Sequence, residues 1–130
     1  MELSIPVLVV EDEQLIHALL TETLTEGGFA VEIAADGEDA IRMLNAPDAS
    51  YRALVTDVNL SPGKLTGWDV AKRARELHAE IPVVYMTGAG SHDWPSRGVP
   101  NSVLVPKPFA PAQIVTAVSQ LLNRGNTPGA

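Results

Sequence analysis

The chain has 130 residues, of which 45% are apolar, and its 16 acidic and 9 basic residues give a formal net charge of −7. These values fit one domain with a packed core and exclude a disordered chain, which would have too few apolar residues to bury. The acidic balance argues against nucleic acid or an anionic membrane as the main partner, since both attract basic surfaces. The absence of cysteine excludes disulfide bonds, thiolate nucleophiles and cysteine-based metal sites.

No stretch of the sequence is apolar for long enough to suggest membrane insertion. The longest apolar stretches are Ile5–Val10 and 81–86, whereas a spanning helix needs about 20 residues. The N-terminus carries Glu2 and no basic flank, which argues against a secretory signal. We therefore expect a single-domain cytoplasmic protein. The sequence sets no oligomeric state, and a monomer is the simplest case.

Short β-type runs alternate with segments of helical periodicity along the chain. The strand-like runs lie at Ile5–Val10, 30–35, 53–56, 82–86 and 102–105. Helical spacing of apolar residues predicts helices over 13–26, 38–45, 68–79 and 111–122. The alternation predicts an α/β fold, in which a doubly wound, five-stranded parallel sheet is covered by helices on both faces.

Apolar residues recur on one side of each predicted helix, and we expect these stripes to be buried. In the first helix the stripe contains Leu15, Ile16, Leu19, Leu20 and Leu24, and in the third it contains Val70, Ala71, Ala74 and Leu77. Segment 91–101 has no such stripe and contains Pro95, Gly98 and Pro100. Because proline removes a backbone donor and clashes with the preceding turn, we expect an irregular fourth helix there.

Polar side chains follow four of the predicted strands where each strand ends. Glu11 and Asp12 follow the first strand, and Asp57, Thr87 and Lys107 follow the third, fourth and fifth strands. In open parallel sheets, ligands bind beyond the carboxyl ends of the strands. We therefore expect these side chains to share one edge of the sheet.

The chemistry of this set indicates a site for a phosphoryl group. Crowded carboxylates repel one another unless a cation neutralises them, and Mg²⁺ prefers carboxylate oxygens together with waters and a phosphate. An aspartate carboxylate can attack phosphorus as a nucleophile. A lysine ammonium and a hydroxyl can then neutralise the phosphoryl oxygens. The sequence thus predicts a site that accepts a phosphoryl group on an aspartate.

The strand-end motifs resemble those of the receiver domain of two-component response regulators. The resemblance rests on Val-Val-Glu11-Asp12-Glu, Val-Thr-Asp57-Val-Asn59, Met-Thr87-Gly and Lys107-Pro-Phe. It covers nearly the whole chain and implies the flavodoxin-like strand order 2-1-3-4-5. We accordingly expect a receiver domain over residues 1–124, followed by a disordered tail over 125–130.

The resemblance also implies a metal site. Asp12 would bind Mg²⁺ directly with help from Glu11, while Asp57 and the backbone carbonyl of Asn59 would complete the set of protein ligands.

The resemblance further implies how the phosphoryl group is handled. Asp57 would accept it from a phosphohistidine on a sensor histidine kinase or a histidine phosphotransfer protein. Thr87 would hydrogen-bond the phosphoryl oxygens, and the Lys107 ammonium would pair with the phosphoryl group. The peptide bond between Lys107 and Pro108 would be cis. The domain would signal to a downstream effector protein and would catalyse at most its own phosphorylation and dephosphorylation, so we expect no enzyme.

Two features depart from the family pattern and keep another reading open. Leu104 occupies a position where receivers usually carry an aromatic residue that moves inward on phosphorylation, and segment 91–101 is broken by prolines. These departures allow a binding module that keeps the fold without phosphorylation.

A Mg²⁺-dependent phosphatase with an aspartate nucleophile is a weaker alternative. Such enzymes commonly need a second acid two positions after the nucleophile, where this chain has Asn59. The histidines at 17, 78 and 92 lack metal-ligand spacing, and we expect solvated or helix-terminal roles for them.

Overall fold

The computed structural model describes residues 4–60, 65–88 and 91–126. The strands are β1 (Ile5–Val10), β2 (Phe29–Ala34), β3 (Ala53–Asp57), β4 (Val83–Thr87) and β5 (Ser102–Pro106). The helices are α1 (Gln14–Glu26), α2 (Gly37–Leu44), α3 (Gly67–Leu77), α4 (Trp94–Arg97) and α5 (Pro111–Asn126). The strands form one parallel sheet in the order β2-β1-β3-β4-β5, which confirms the predicted fold class.

Each face of the sheet is covered by its own set of helices. Leu8 and Val10 of β1 point toward α2 and α3, where they join a core that includes Ala40 and Ala71. The alternate residues of β1 pack on the other face with residues of α1 and α5, in a core that includes Val7, Val9, Leu20, Leu24, Ile114 and Val118. Residues of β3 and β4 are buried throughout, as expected for central parallel strands with helices on both sides.

The predicted apolar stripes were too wide. Leu15 and Leu19 of α1 are 79% and 52% exposed, and Leu77 at the end of α3 is 37% exposed. Successive residues lie about 100° apart around a helix. Because Leu20 and Leu24 face the sheet, Leu15 and Leu19 are rotated away from it.

The last helix ends close to the predicted domain boundary. Helix α5 continues to Asn126, past the expected boundary at residue 124. Residues 127–130 of the predicted tail lie outside the described residues. Within the described part of the chain, the helices are too short or too polar to traverse a bilayer.

The fourth helix is irregular, as the prolines predicted. A 3-10 turn at Ser91–Asp93 leads into α4, which spans four residues. The Trp94 indole lies so close to Gly98 that a Cβ there would meet the ring at 2.3 Å. The indole N–H donates to the Ser102 hydroxyl at 2.9 Å, and the buried Tyr85 hydroxyl accepts from the Val99 amide at 3.1 Å. Side-chain hydrogen bonds thus hold this segment against β4 and β5.

Candidate functional site

The strand register brings the predicted residues to one edge of the sheet. Glu11 follows β1 directly, Asp57 and Thr87 end β3 and β4, and Lys107 follows β5. The Lys107 ammonium donates to Asp57 Oδ2 at 2.8 Å and to Glu11 Oε1 at 3.3 Å. Carboxylate oxygens of Glu11, Asp12 and Asp57 all lie within 4.8 Å of one another. One cation and three acids from three strand ends therefore meet in a small volume.

Glu11 is fully buried in this cluster. Its Oε2 accepts hydrogen bonds from the backbone N–H groups of Asp12 at 3.0 Å and Glu13 at 3.1 Å. Burial and, to a smaller extent, the nearby Asp57 charge raise the pKa of Glu11 to about 7, against the lowering effects of the Glu13 N–H and Lys107. A cation bound beside Glu11 would therefore stabilise its ionised form.

Asp57 is 5% exposed and is held from both sides. Its Oδ1 accepts from the Asn59 amide at 3.1 Å, while Oδ2 accepts from Lys107. Burial alone would lower the pKa of Lys107, but Asp57 and then Glu11 outweigh it and raise that pKa above its usual value. The lysine therefore stays charged beside the two carboxylates.

The backbone next to Asp57 and Lys107 makes close contacts with neighbouring elements. A Cβ at Gly67, the first residue of α3, would lie 2.1 Å from the Asp57 carbonyl oxygen, so only glycine fits behind the aspartate. The Lys107–Pro108 peptide bond is cis, as the family resemblance implied. The Lys107 amide donates to the Thr87 carbonyl oxygen at 2.8 Å, which joins the ends of β4 and β5.

Comparison with known proteins agrees with this geometry. The family model described as the response regulator receiver domain matches residues 7–119. The chain belongs to the response regulator receiver family. Among solved structures, a response regulator receiver protein from Sinorhizobium medicae WSM419 is 40% identical, with a TM-score of 0.87, and the match covers 92% of this receiver and 95% of that chain.

Curated relatives extend beyond the region that matches. The transcriptional regulatory protein CusR of Escherichia coli K12 is 32% identical over 121 residues, which cover 91% of this chain and 51% of CusR. TcrA of Mycobacterium tuberculosis H37Rv is 34% identical over 127 residues, which cover 96% of this chain and 49% of TcrA. The receiver thus spans about half the length of these relatives.

One more distant structure shares the fold and holds a metal. The receiver domain of the sensor histidine kinase PA1611 from Pseudomonas aeruginosa PAO1 is 20% identical, with a TM-score of 0.76, over 93% of this chain and 99% of that one. That protein has a magnesium ion coordinated in its active site cleft.

The donor set of this receiver fits a hard divalent cation. Its three acids offer only carboxylate oxygens, which Mg²⁺ prefers, and the exposed Asp12 leaves the cluster open to water. Asn59 lies beside the cluster through its amide contact with Asp57. The assignment of its carbonyl as a metal ligand stays a prediction. Thr87 is buried at the same edge, and its role toward a phosphoryl group also stays a prediction.

Two residues that contact the site were missed by sequence reasoning. His17 lies half-buried in the first turn of α1, in keeping with the expected helix-terminal role, but the contact of its Nε2 with the Glu11 carbonyl oxygen was not predicted. The contact spans six positions across the start of α1, so no simple periodicity reveals it. Gly67 was missed because its constraint comes from the close approach of α3 to Asp57.

Proposed function

We propose that this receiver accepts a phosphoryl group on Asp57 from a phosphohistidine of a sensor histidine kinase or histidine phosphotransfer protein, and then signals to a downstream effector protein. The observation that carries the proposal is the Lys107 ammonium, 2.8 Å from Asp57 Oδ2 and 3.3 Å from the buried Glu11. The lysine ammonium lies between two carboxylates at the carboxyl edge of the sheet, where it can also pair with an anionic phosphoryl group.

The proposed reaction is a direct transfer between nucleophiles. A carboxylate oxygen of Asp57 forms a bond to phosphorus while the bond from phosphorus to the imidazole nitrogen of the donor breaks. The bonding electron pair stays on the imidazole, so no other reactant is needed. The resulting acyl phosphate is later hydrolysed by water, which restores the carboxylate and releases inorganic phosphate.

This chain's own groups stabilise the transferred charge. The Lys107 ammonium would shift from the carboxylates to a phosphoryl oxygen, and the hydroxyl of Thr87 would donate to another. Glu11, Asp12, Asp57 and the Asn59 carbonyl would hold Mg²⁺. When bound, that ion would offset the charge of both the crowded carboxylates and the phosphoryl oxygens.

Receivers are signalling domains, and the proposed partners follow from that role. The proposed donor is a histidine-phosphorylated protein, and we propose that the chain meets it in the cytoplasm. CusR and TcrA are transcriptional regulators, and this chain matches only about half of each. We propose that the described domain itself contacts proteins and does not bind nucleic acid, in keeping with its acidic charge.

A phosphorylation-independent binding module is the second candidate. It is favoured by Leu104, which is half-buried and packs against the core on the α2 and α3 face where receivers usually carry a switching aromatic residue. The phosphatase alternative has weaker support, since the Asn59 amide group cannot supply a general acid.

Intact-mass spectrometry after incubation with acetyl phosphate and Mg²⁺ separates these functions. We expect the wild-type chain to gain the mass of one phosphoryl group, in an acid- and base-labile adduct that does not form when Mg²⁺ is chelated before acetyl phosphate is added. Asp57→Asn should gain none, and Asp48→Asn, a change at an exposed acid, should behave as wild type. An unmodified wild-type chain would favour the binding module, and steady turnover of a small phosphoester would favour the phosphatase.

A further inference from the structure

An open groove of about 480 Å³ lies between α3 and α4, among residues that the proposed phosphoryl transfer does not use. Its lining is cationic, unlike the chain as a whole, which has a net charge of −7. The charged side chains that line it are Lys72, Arg75, Glu76 and Arg97. Val99 and Pro100 add apolar surface.

The cations of this groove make no direct ion pair with a carboxylate among the described residues. Glu76 is the single acid in the lining, and its carboxylate pairs with Arg73, at 3.2 Å from Nη1. Among residues 4–60, 65–88 and 91–126, no carboxylate comes within 4.0 Å of the cationic groups of Lys72, Arg75 or Arg97. Glu80 attracts Arg75 from a longer distance and offsets part of its charge. Lys72 and Arg97 then leave the depression with a net positive charge that favours anions.

Two of these cations are also held in place by neutral groups. Arg75 is half-buried, and its Nε donates to the Ile81 carbonyl at 2.7 Å while Nη1 donates to the Pro100 carbonyl at 2.6 Å. The Arg97 guanidinium lies 5.7 Å from the centre of the Trp68 ring, in a cation–π contact. Because these contacts already restrict both side chains, an anion that binds them loses less side-chain entropy.

We propose that this groove, lined by Lys72, Arg75 and Arg97, binds an acidic segment of a partner protein. The volume of the groove, about 480 Å³, suits the side chains of a few consecutive acidic residues. The remaining surface is acidic and repels a long phosphate backbone, so charge complementarity favours a local cluster of glutamates or aspartates over nucleic acid. The interaction does not require phosphorylation of Asp57.

A fluorescently labelled hexaglutamate peptide is the probe, measured by fluorescence anisotropy on the full chain at low salt. We expect saturable binding that weakens as salt rises, and no binding of hexaglutamine. The paired change Lys72→Glu with Arg97→Glu should weaken hexaglutamate binding by about tenfold or more. The control pair Arg42→Glu with Arg52→Glu alters net charge equally at exposed positions elsewhere and should leave affinity nearly unchanged.

Intrinsic tryptophan fluorescence gives a second readout. Because Arg97 stacks over Trp68, peptide binding should change the emission of the wild-type chain, and Arg97→Gln should reduce that change. Circular dichroism checks that each variant is folded. Asp57→Asn should bind the peptide as wild type does, which separates this proposal from the phosphoryl-transfer proposal.

Three outcomes would overturn the proposal. One is the absence of saturable hexaglutamate binding to the folded wild-type chain. Another is an equal loss in the two charge-reversal pairs, which would show nonspecific attraction. A third is tighter binding of an oligonucleotide of equal charge that is lost in the Lys72→Glu, Arg97→Glu pair, which would assign the groove to nucleic acid.

Discussion

Glu11 shows how a single buried side chain makes this receiver sensitive to pH. Its pKa is about 7 in the folded chain, chiefly through burial, against an ordinary value of 4.5. The folded state therefore binds this proton more tightly than the unfolded state. The resulting stabilisation is complete below about pH 4.5 and is lost as the pH rises through 7.

We predict that, without divalent ions, the unfolding free energy of wild type falls relative to that of Glu11→Gln between pH 5 and pH 8. The loss should be on the order of 2 kcal/mol, because Gln resembles the protonated acid at both pH values. Urea denaturation in EDTA measures the difference. A wild-type chain that gains stability relative to Glu11→Gln as the pH rises would contradict the assignment.

The sequence predicted which side chains meet at the edge of the sheet, but it did not predict the residues that contact them. Asp57 and Lys107 could be found because each lies at the end of a recognisable strand, and parallel strands deliver such residues to one edge. Their contact at 2.8 Å agrees with that placement. His17 and Gly67 could not be found, because their contacts depend on how α1 and α3 approach the edge.

Helix α1 shows what apolar periodicity cannot predict about a helix. The pattern located the helix, but it did not say which side of a broad apolar stripe faces the sheet. Leu20 is fully buried, whereas Leu15 is 79% exposed.

We therefore predict very different costs for two identical truncations in α1. Leu20→Ala should lower the unfolding free energy by about 2–5 kcal/mol, since it leaves a cavity in the core. Leu15→Ala should change it by less than about 0.5 kcal/mol. Chemical denaturation of both variants tests this, and similar losses in the two would show that Leu15 is also buried.

The segment that carries α4 depends on side chains from neighbouring strands. Tyr85 lies fully buried, its ring packs 4.7 Å from that of Trp68, and its hydroxyl accepts from the Val99 amide. Proline and glycine content predicted the short helix, but this tether could not be predicted, because Tyr85 and Val99 meet only after β4 and β5 pair.

We predict that Tyr85→Phe loosens this segment selectively. Loss of the hydroxyl leaves the buried Val99 amide unpaired, at a cost of about 1–3 kcal/mol. Hydrogen exchange at Val99 and neighbouring amides should accelerate by one to two orders of magnitude, as a local opening of that size implies. Amides of β1, which lies on the far side of β3, provide the internal control. Unchanged exchange at Val99 would show that the tether contributes nothing.

At the scale of the whole molecule, the fold places opposite charges in different regions. The acidic cluster lies at the carboxyl edge of the sheet, and the unpaired cations lie between α3 and α4. Alternation of strand and helix patterns predicted the doubly wound parallel sheet, and the family resemblance implied its strand order. The cationic groove was not predictable, since it arises from the packing of α3 against a segment without helical periodicity.

The proposed function of this receiver depends most directly on Asp57 as the phosphoryl acceptor. Borohydride reduces an aspartyl phosphate to homoserine, so reduction after treatment with acetyl phosphate and Mg²⁺, followed by peptide mass spectrometry, locates the modified residue. We expect homoserine at position 57 alone and none when Mg²⁺ is chelated. Homoserine at another acid, or a phosphorylated His17 with Asp57 unmodified, would contradict it.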